Sequence, residues 1–233
     1  MSERDELPGL ADLAHSALPS VPALSSALEA ELGQLTPTAT RQPMRQLAIM
    51  FCLAAVYGGS LVAVLALRGD VREIPIGWLV SAGAAWLLGF VIPMYLALVP
   101  RSGSVVSRAQ LALAAAIVVS IAFIAMGLAI HPEGTTSLHY GWDKFGHGQG
   151  CLAIGLVTAA VPIVVGAMFL RRSMPVGSRW IAAALGASGG CLGGLVLHLH
   201  CRIADAQHVG LVHGGVVGVS ALLAAALVPR VAR

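Results

Sequence analysis

Charge is scarce in this chain of 233 residues: Asp, Glu, Lys and Arg together make up only 11% of it. A soluble globular domain carries roughly a quarter charged residues, because its surface must be covered with them. The shortfall excludes an ordinary water-soluble fold. With hydrophobic residues at 57%, it makes lipid the expected solvent. No Asp, Glu, Lys or Arg interrupts Gln46–Leu67, Ile74–Val99, Ala109–Ile130, Gln149–Leu170, Trp180–His200 or Val209–Val228. A helix rises about 1.5 Å per residue, so about 20 residues cross the hydrocarbon and each segment can span it. Also missing are the short strands of alternating polarity that a membrane β-barrel requires. The expected fold is therefore all-α and polytopic: a six-helix transmembrane bundle over residues 46–233, preceded by an N-terminal arm over 1–45. Pro93 and Pro162 fall inside two spans, where neighbouring helices can satisfy the freed carbonyls.

Other absences narrow the function. The N-terminal segment has no short cationic stretch followed by an apolar one, so it does not read as a cleaved signal and is expected to stay. It has no basic stripe either, which excludes nucleic acid as a partner. No carboxylate lies within a span, so an intramembrane proton relay is missing. There is no GxSxG, no phosphate-binding glycine loop and no dinucleotide fingerprint. The chain reads as a non-enzyme. A transporter would place polar groups near the midplane on broken helices, whereas here they gather at one end.

Arginine and lysine set the orientation. Arg4, Arg41, Arg45, Arg101, Arg108, Arg171, Arg172, Arg179, Arg230 and Arg233 lie in alternate segments, ten in all, against Arg68, Arg72, Lys144 and Arg202 on the other side. The positive-inside rule puts both termini in the cytoplasm. Seven of the eight histidines then fall at the outer end, with His15 alone in the arm.

The arm holds two short helical patterns. Leu10, Leu13, Ala14, Ala17 and Leu18 follow i, i+3, i+4 spacing, and Leu24, Leu28, Leu32 and Leu35 repeat it. Neither is long enough to be stable alone in water. With Glu3, Asp5, Glu6, Asp12, Glu29 and Glu31 interspersed, the arm suits an anionic lipid surface poorly. An amphipathic segment for a protein partner's groove fits better. In the spans, Ala182, Gly186, Gly190, Gly194 and His198 share one face of the fifth, and Gly210, Gly214 and Gly218 share one face of the sixth. Such stripes let helix backbones approach in lipid. The short loop between these spans makes them a hairpin, with the two glycine faces expected in mutual contact.

The outer end carries the chemistry. Cys151 opens the fourth span and Cys201 closes the fifth. Three readings compete. The two cysteines form a disulfide or redox pair in an oxidising compartment. Alternatively, His147, Cys151, His198, His200, Cys201, His208 and His213 supply ligands for zinc or copper. In the third, the histidines are interfacial residues with satisfied hydrogen bonds. His147-x3-Cys151 spans one helical turn, but no CxxC or HExxH accompanies it.

The layout resembles a family of bacterial six-span anti-sigma factors of the NrsF type, with relatives among the myxobacteria. The residues that carry the likeness are Gly148-Gln149-Gly150-Cys151-Leu152, Pro162, Leu170-Arg171-Arg172, Pro175 and the glycine-rich fifth span ending in His200-Cys201. The resemblance implies a regulator in the bacterial inner membrane that sequesters an extracytoplasmic-function (ECF) sigma factor. The arm, through Leu10, Leu13, Leu24, Leu28 and Leu32, would bind the sigma factor. Cys151 and Cys201 would take part in sensing an envelope signal. The chain differs from the family pattern in its wealth of outer histidines, which leaves the signal open between metal and oxidant. The alternative is a metal-binding membrane sensor or transporter without a sigma partner.

Overall fold

A computed structural model describes residues 42–100, 106–129, 143–171 and 178–231, with only the backbone described at 143–147. Six helices among them are long and apolar enough to cross a membrane, and no strand occurs among the described residues. They are α1 (Pro43–Leu65), α2 (Ile76–Leu98), α3 (Arg108–Ala129), α4 (Asp143–Leu170), α5 (Arg179–His200) and α6 (Gly214–Val231). A π-helical turn, His208–His213, runs straight into α6, and the two together form the sixth span, His208–Val231. The chain is a multi-pass membrane protein, and apart from the start of α4 its helices begin and end within a few residues of the sequence-predicted limits. The arm residues Leu10, Leu13, Leu24, Leu28 and Leu32 lie outside the described residues, as do His131 and His139.

α5 is the axis of the bundle. It touches all five other helices, and its side chains are buried almost without a break from Ile181 to Leu197. Its composition makes this possible: Ala182, Ala183, Ala184, Gly186, Ala187, Ser188, Gly189, Gly190, Gly193 and Gly194 present little bulk on any side. Where apolar burial from lipid offers no gain, close backbone approach supplies the attraction. A methyl group built on Gly190 would fall 2.6 Å from the Val217 Cα, and one on Gly189 2.8 Å from the Ala159 carbonyl oxygen. Gly194 makes room for the Trp86 indole, which in turn stacks on Phe123 with ring centroids 3.7 Å apart. Ser188 donates its hydroxyl to the Phe90 carbonyl at 2.5 Å, one turn before Pro93, where the α2 ladder is interrupted.

The expected contact between the two glycine faces is not what forms. α5 and α6 do pack together, but Gly186 and Gly190 receive Ser220, Ala221, Ala224, Val216 and Val217 of α6 rather than its glycines. Gly210 and Gly214 face α3 instead, and Gly127 of α3 meets the Gly210 backbone. Gly218 has nothing within 4 Å. Val216, Val217, Ser220 and Ala224 of α6, rather than its glycines, fill the room that the α5 glycines leave.

α1 is held quite differently. It buries only Leu47, Met50, Ala54 and Gly58, a single stripe, and leaves Ile49, Leu53, Val56 and Val64 exposed to lipid. Midway along, Tyr57 donates its hydroxyl to the Val157 carbonyl of α4 at 3.3 Å.

Candidate functional site

The α1–α2 and α5–α6 connections meet at one end of the bundle, and the cysteines and histidines converge there. Cys151 stands in the first membrane turns of α4, and Cys201 is the residue that stops α5, its N–H still bonded to the Leu197 carbonyl at 2.7 Å. Their sulfurs lie 3.7 Å apart as free thiols. His208 Nε2 is 3.4 Å from the Cys201 sulfur, and the His208 and His213 rings meet edge to face at 4.9 Å. One donor atom from each of Cys151, Cys201, His208 and His213 falls within 4.8 Å of every other.

The π-helical turn explains why two histidines five residues apart reach one site. In an α-helix that spacing points the side chains about 140° apart. Hydrogen bonding from i to i+5 widens the turn and brings them onto one face, and such turns are frequent at functional sites. Gly148 supplies the room on the α4 side, because a methyl there would lie 2.8 Å from Val212 Cγ2 and 3.8 Å from His208 Nδ1. Gly148, three residues before the cysteine, thus belongs to the site, a role the sequence pattern alone does not disclose.

Enclosure is uneven. Cys201, His208 and His213 are buried, while Cys151 is half-buried and gives the group its edge toward the surface. His213 Nε2 has no hydrogen-bond partner among the described residues. A buried polar atom left unpaired is costly, so it calls for a reason. Two thiols and two imidazoles form a donor set that suits zinc or copper. A tetrahedral zinc with Zn–S of about 2.3 Å holds two thiolates about 3.8 Å apart, close to the 3.7 Å here.

The structure does not bring His198 and His200 into this group. His198 turns toward the first turn of α2, and His200 toward the α1–α2 connection. His198 Nε2 sits 3.0 Å from the Leu79 carbonyl and its ring tilts over Trp78 at 4.9 Å. His200 Nδ1 lies 2.9 Å from the Ala66 carbonyl. The side chain of His147 lies outside the described residues.

Sequence reasoning missed Arg68. The residue is 3% exposed. It donates Nε and Nη2 to the two Asp70 carboxylate oxygens at 2.7 and 2.9 Å, and Nη1 and Nη2 to the His198 and Arg202 carbonyls at 3.3 and 3.4 Å. Its backbone N–H bonds the Leu199 carbonyl at 2.9 Å. The Arg68 hydrogen bonds hold the Asp70 carboxyl below its ordinary value of 3.8. Just before it, Ala66 takes φ 64° and ψ 153°, a region natural to glycine that costs another residue about 1–3 kcal/mol. The only sequence signal was an arginine at a helix end, which reads as an ordinary interfacial residue.

Comparison with known proteins gives one family. The model of the NrsF family, described as negative regulator of sigma F, matches residues 33–233. No curated protein and no solved structure matches.

Proposed function

This chain belongs to the NrsF family, negative regulators of sigma F, and on that premise we propose that it is a membrane-bound anti-sigma factor governed by its Cys/His cluster. Residues 1–45 form the cytoplasmic arm that sequesters an extracytoplasmic-function sigma factor, with Leu10, Leu13, Leu24, Leu28 and Leu32 as the apolar contacts. The termini lie in the cytoplasm of a bacterial inner membrane, as the arginine distribution favours. Cys151, Cys201, His208 and His213 then face the periplasm and receive the envelope signal. The chain acts by binding and release, without catalysis.

The observation that carries the sensing half is the approach of four soft or borderline donors, two thiols and two imidazoles, to within 4.8 Å, a donor set that suits a shared cation. It favours zinc or copper(I) over oxidation as the primary signal. The ligand must bind one state of the bundle better than the other, since equal affinity for both shifts nothing.

A sigma-dependent reporter in cells tests the arm. Leu24→Asp with Leu28→Asp, in a protein that still reaches the membrane at normal level, is expected to raise the reporter more than tenfold. Each carboxylate placed in an apolar groove carries a large burial penalty. Repression left intact by both substitutions would remove the arm from the mechanism.

A further inference from the structure

The cluster and α1 share no side chain, yet Cys201 sits inside a run of five residues that grips the connection leaving α1. From His198 to Arg202, four of the five supply a bond: the Leu199 carbonyl accepts the Arg68 N–H, His200 holds the Ala66 carbonyl, and the His198 and Arg202 carbonyls accept the Arg68 guanidinium. Asp70 closes the far side of that guanidinium with two bonds, which fixes its plane. The fifth residue of the run is Cys201 itself. We propose that Arg68 is the positioning residue of the signal-receiving site: it clamps the outer end of α1 to the end of α5, so that a ligand drawing on Cys201 moves α1. This rests on the reading of the cluster as that site, and it adds the route by which the cluster reaches the segment that precedes α1.

Three further features support the route. α5 is enclosed along its length, so a pull on Cys201 is relieved most easily beyond the helix end, where the clamp lies. α1 buries a single stripe, so it can shift against its neighbours with little repacking. Ala66, between α1 and Arg68, is held in a backbone conformation that relaxes if the grip of His200 and Arg68 is released. The site's energy is therefore delivered to the helix least able to resist it.

The test uses the full-length protein in lipid nanodiscs, with Cd²⁺ as a probe that binds the two cysteine sulfurs as thiolates and releases their protons. Spin labels on unnatural residues replacing the exposed Met44 of α1 and Leu227 of α6 report the position of α1. In the otherwise unchanged chain, Cd²⁺ is expected to shift the Met44–Leu227 distance by about 2 Å, the size of a helix displacement in a switching protein. In Arg68→Gln the same amount of Cd²⁺ is bound and the shift is lost. In Arg68→Lys, which keeps the charge without the planar fork, part of the shift returns. A role confined to folding would lower Cd²⁺ binding together with the shift. A shift that persists in Arg68→Gln, or Cd²⁺ binding with no shift in the unchanged chain, overturns the proposal. Failure of the unchanged chain to bind Cd²⁺ would sink the cluster reading alone. The clamp is then judged by amide exchange over residues 66–70 without metal: at least tenfold faster exchange in Arg68→Gln upholds it, and unchanged exchange refutes it.

Discussion

α1 and α5 are apolar helices of 23 and 22 residues, and they are held in opposite ways. α5 is fixed by shape, with small side chains on every face and neighbouring backbones pressed against them. α1 is fixed by a narrow stripe, one tyrosine bond to α4 and the polar grip just beyond its C-terminal end. A helix fixed by shape moves only if its whole surroundings repack, because interiors are close-packed. A helix fixed by a few bonds at one end moves when those bonds change. Cys201 is attached to the first kind, and the arm proposed to bind the sigma factor precedes the second. The arrangement places a rigid reference and a movable reporter side by side.

Substitutions that put a side chain on a glycine are the sharpest way to break this contrast. Gly190→Val is expected to have the largest effect, because its Cβ would fall 2.6 Å from the Val217 Cα and neither backbone can yield without parting α5 from α6. Overpacking of this kind costs about 1–3 kcal/mol and more where backbone is struck. That is a large share of the roughly 5–15 kcal/mol that holds a domain together. Unfolding in mixed detergent, followed by circular dichroism, should show the variant destabilised or lost. Gly59→Ala on α1 lies at the other extreme. Nothing stands within 4 Å of its added methyl, and alanine is a better helix former than glycine by about 0.5–1 kcal/mol. The same unfolding assay should show it unchanged or slightly more stable. Equal sensitivity at the two positions would mean that α1 is packed as α5 is, and the lever would lose its basis.

Much of the fold was legible because membrane spans are written in length and composition. Six uncharged runs match six helices to within a few residues at each end, apart from α4, whose helix begins at Asp143, ahead of its apolar run. What was not legible is rotation about each helix axis. Glycines at every fourth residue mark a close approach without naming the partner, so Gly194 went to Trp86 and Gly210 to α3. The site was half legible. Cys151, Cys201, His208 and His213 stand among the residues singled out from the sequence, but the π-helical turn that unites the two histidines has no signature in a spacing of five. His198 and His200 entered the same candidate set through proximity in sequence. Their ring nitrogens went instead to Leu79 and Ala66 carbonyls, because α5 ends beside the α1–α2 connection. Arg68 was invisible as a site residue because its importance lies in partners about 130 positions away, His198 and Arg202.

The central claim is that the Cys/His cluster governs the hold on the sigma factor. The most direct test measures the affinity of the purified full-length protein in nanodiscs for its sigma factor, with and without zinc or copper(I). One of these cations is expected to weaken binding at least tenfold, a coupling of about 1.4 kcal/mol, and the effect is expected to vanish in Cys201→Ser and in His213→Ala. Sigma affinity that stays the same when the cluster is filled, or that responds equally in both variants, would contradict the claim.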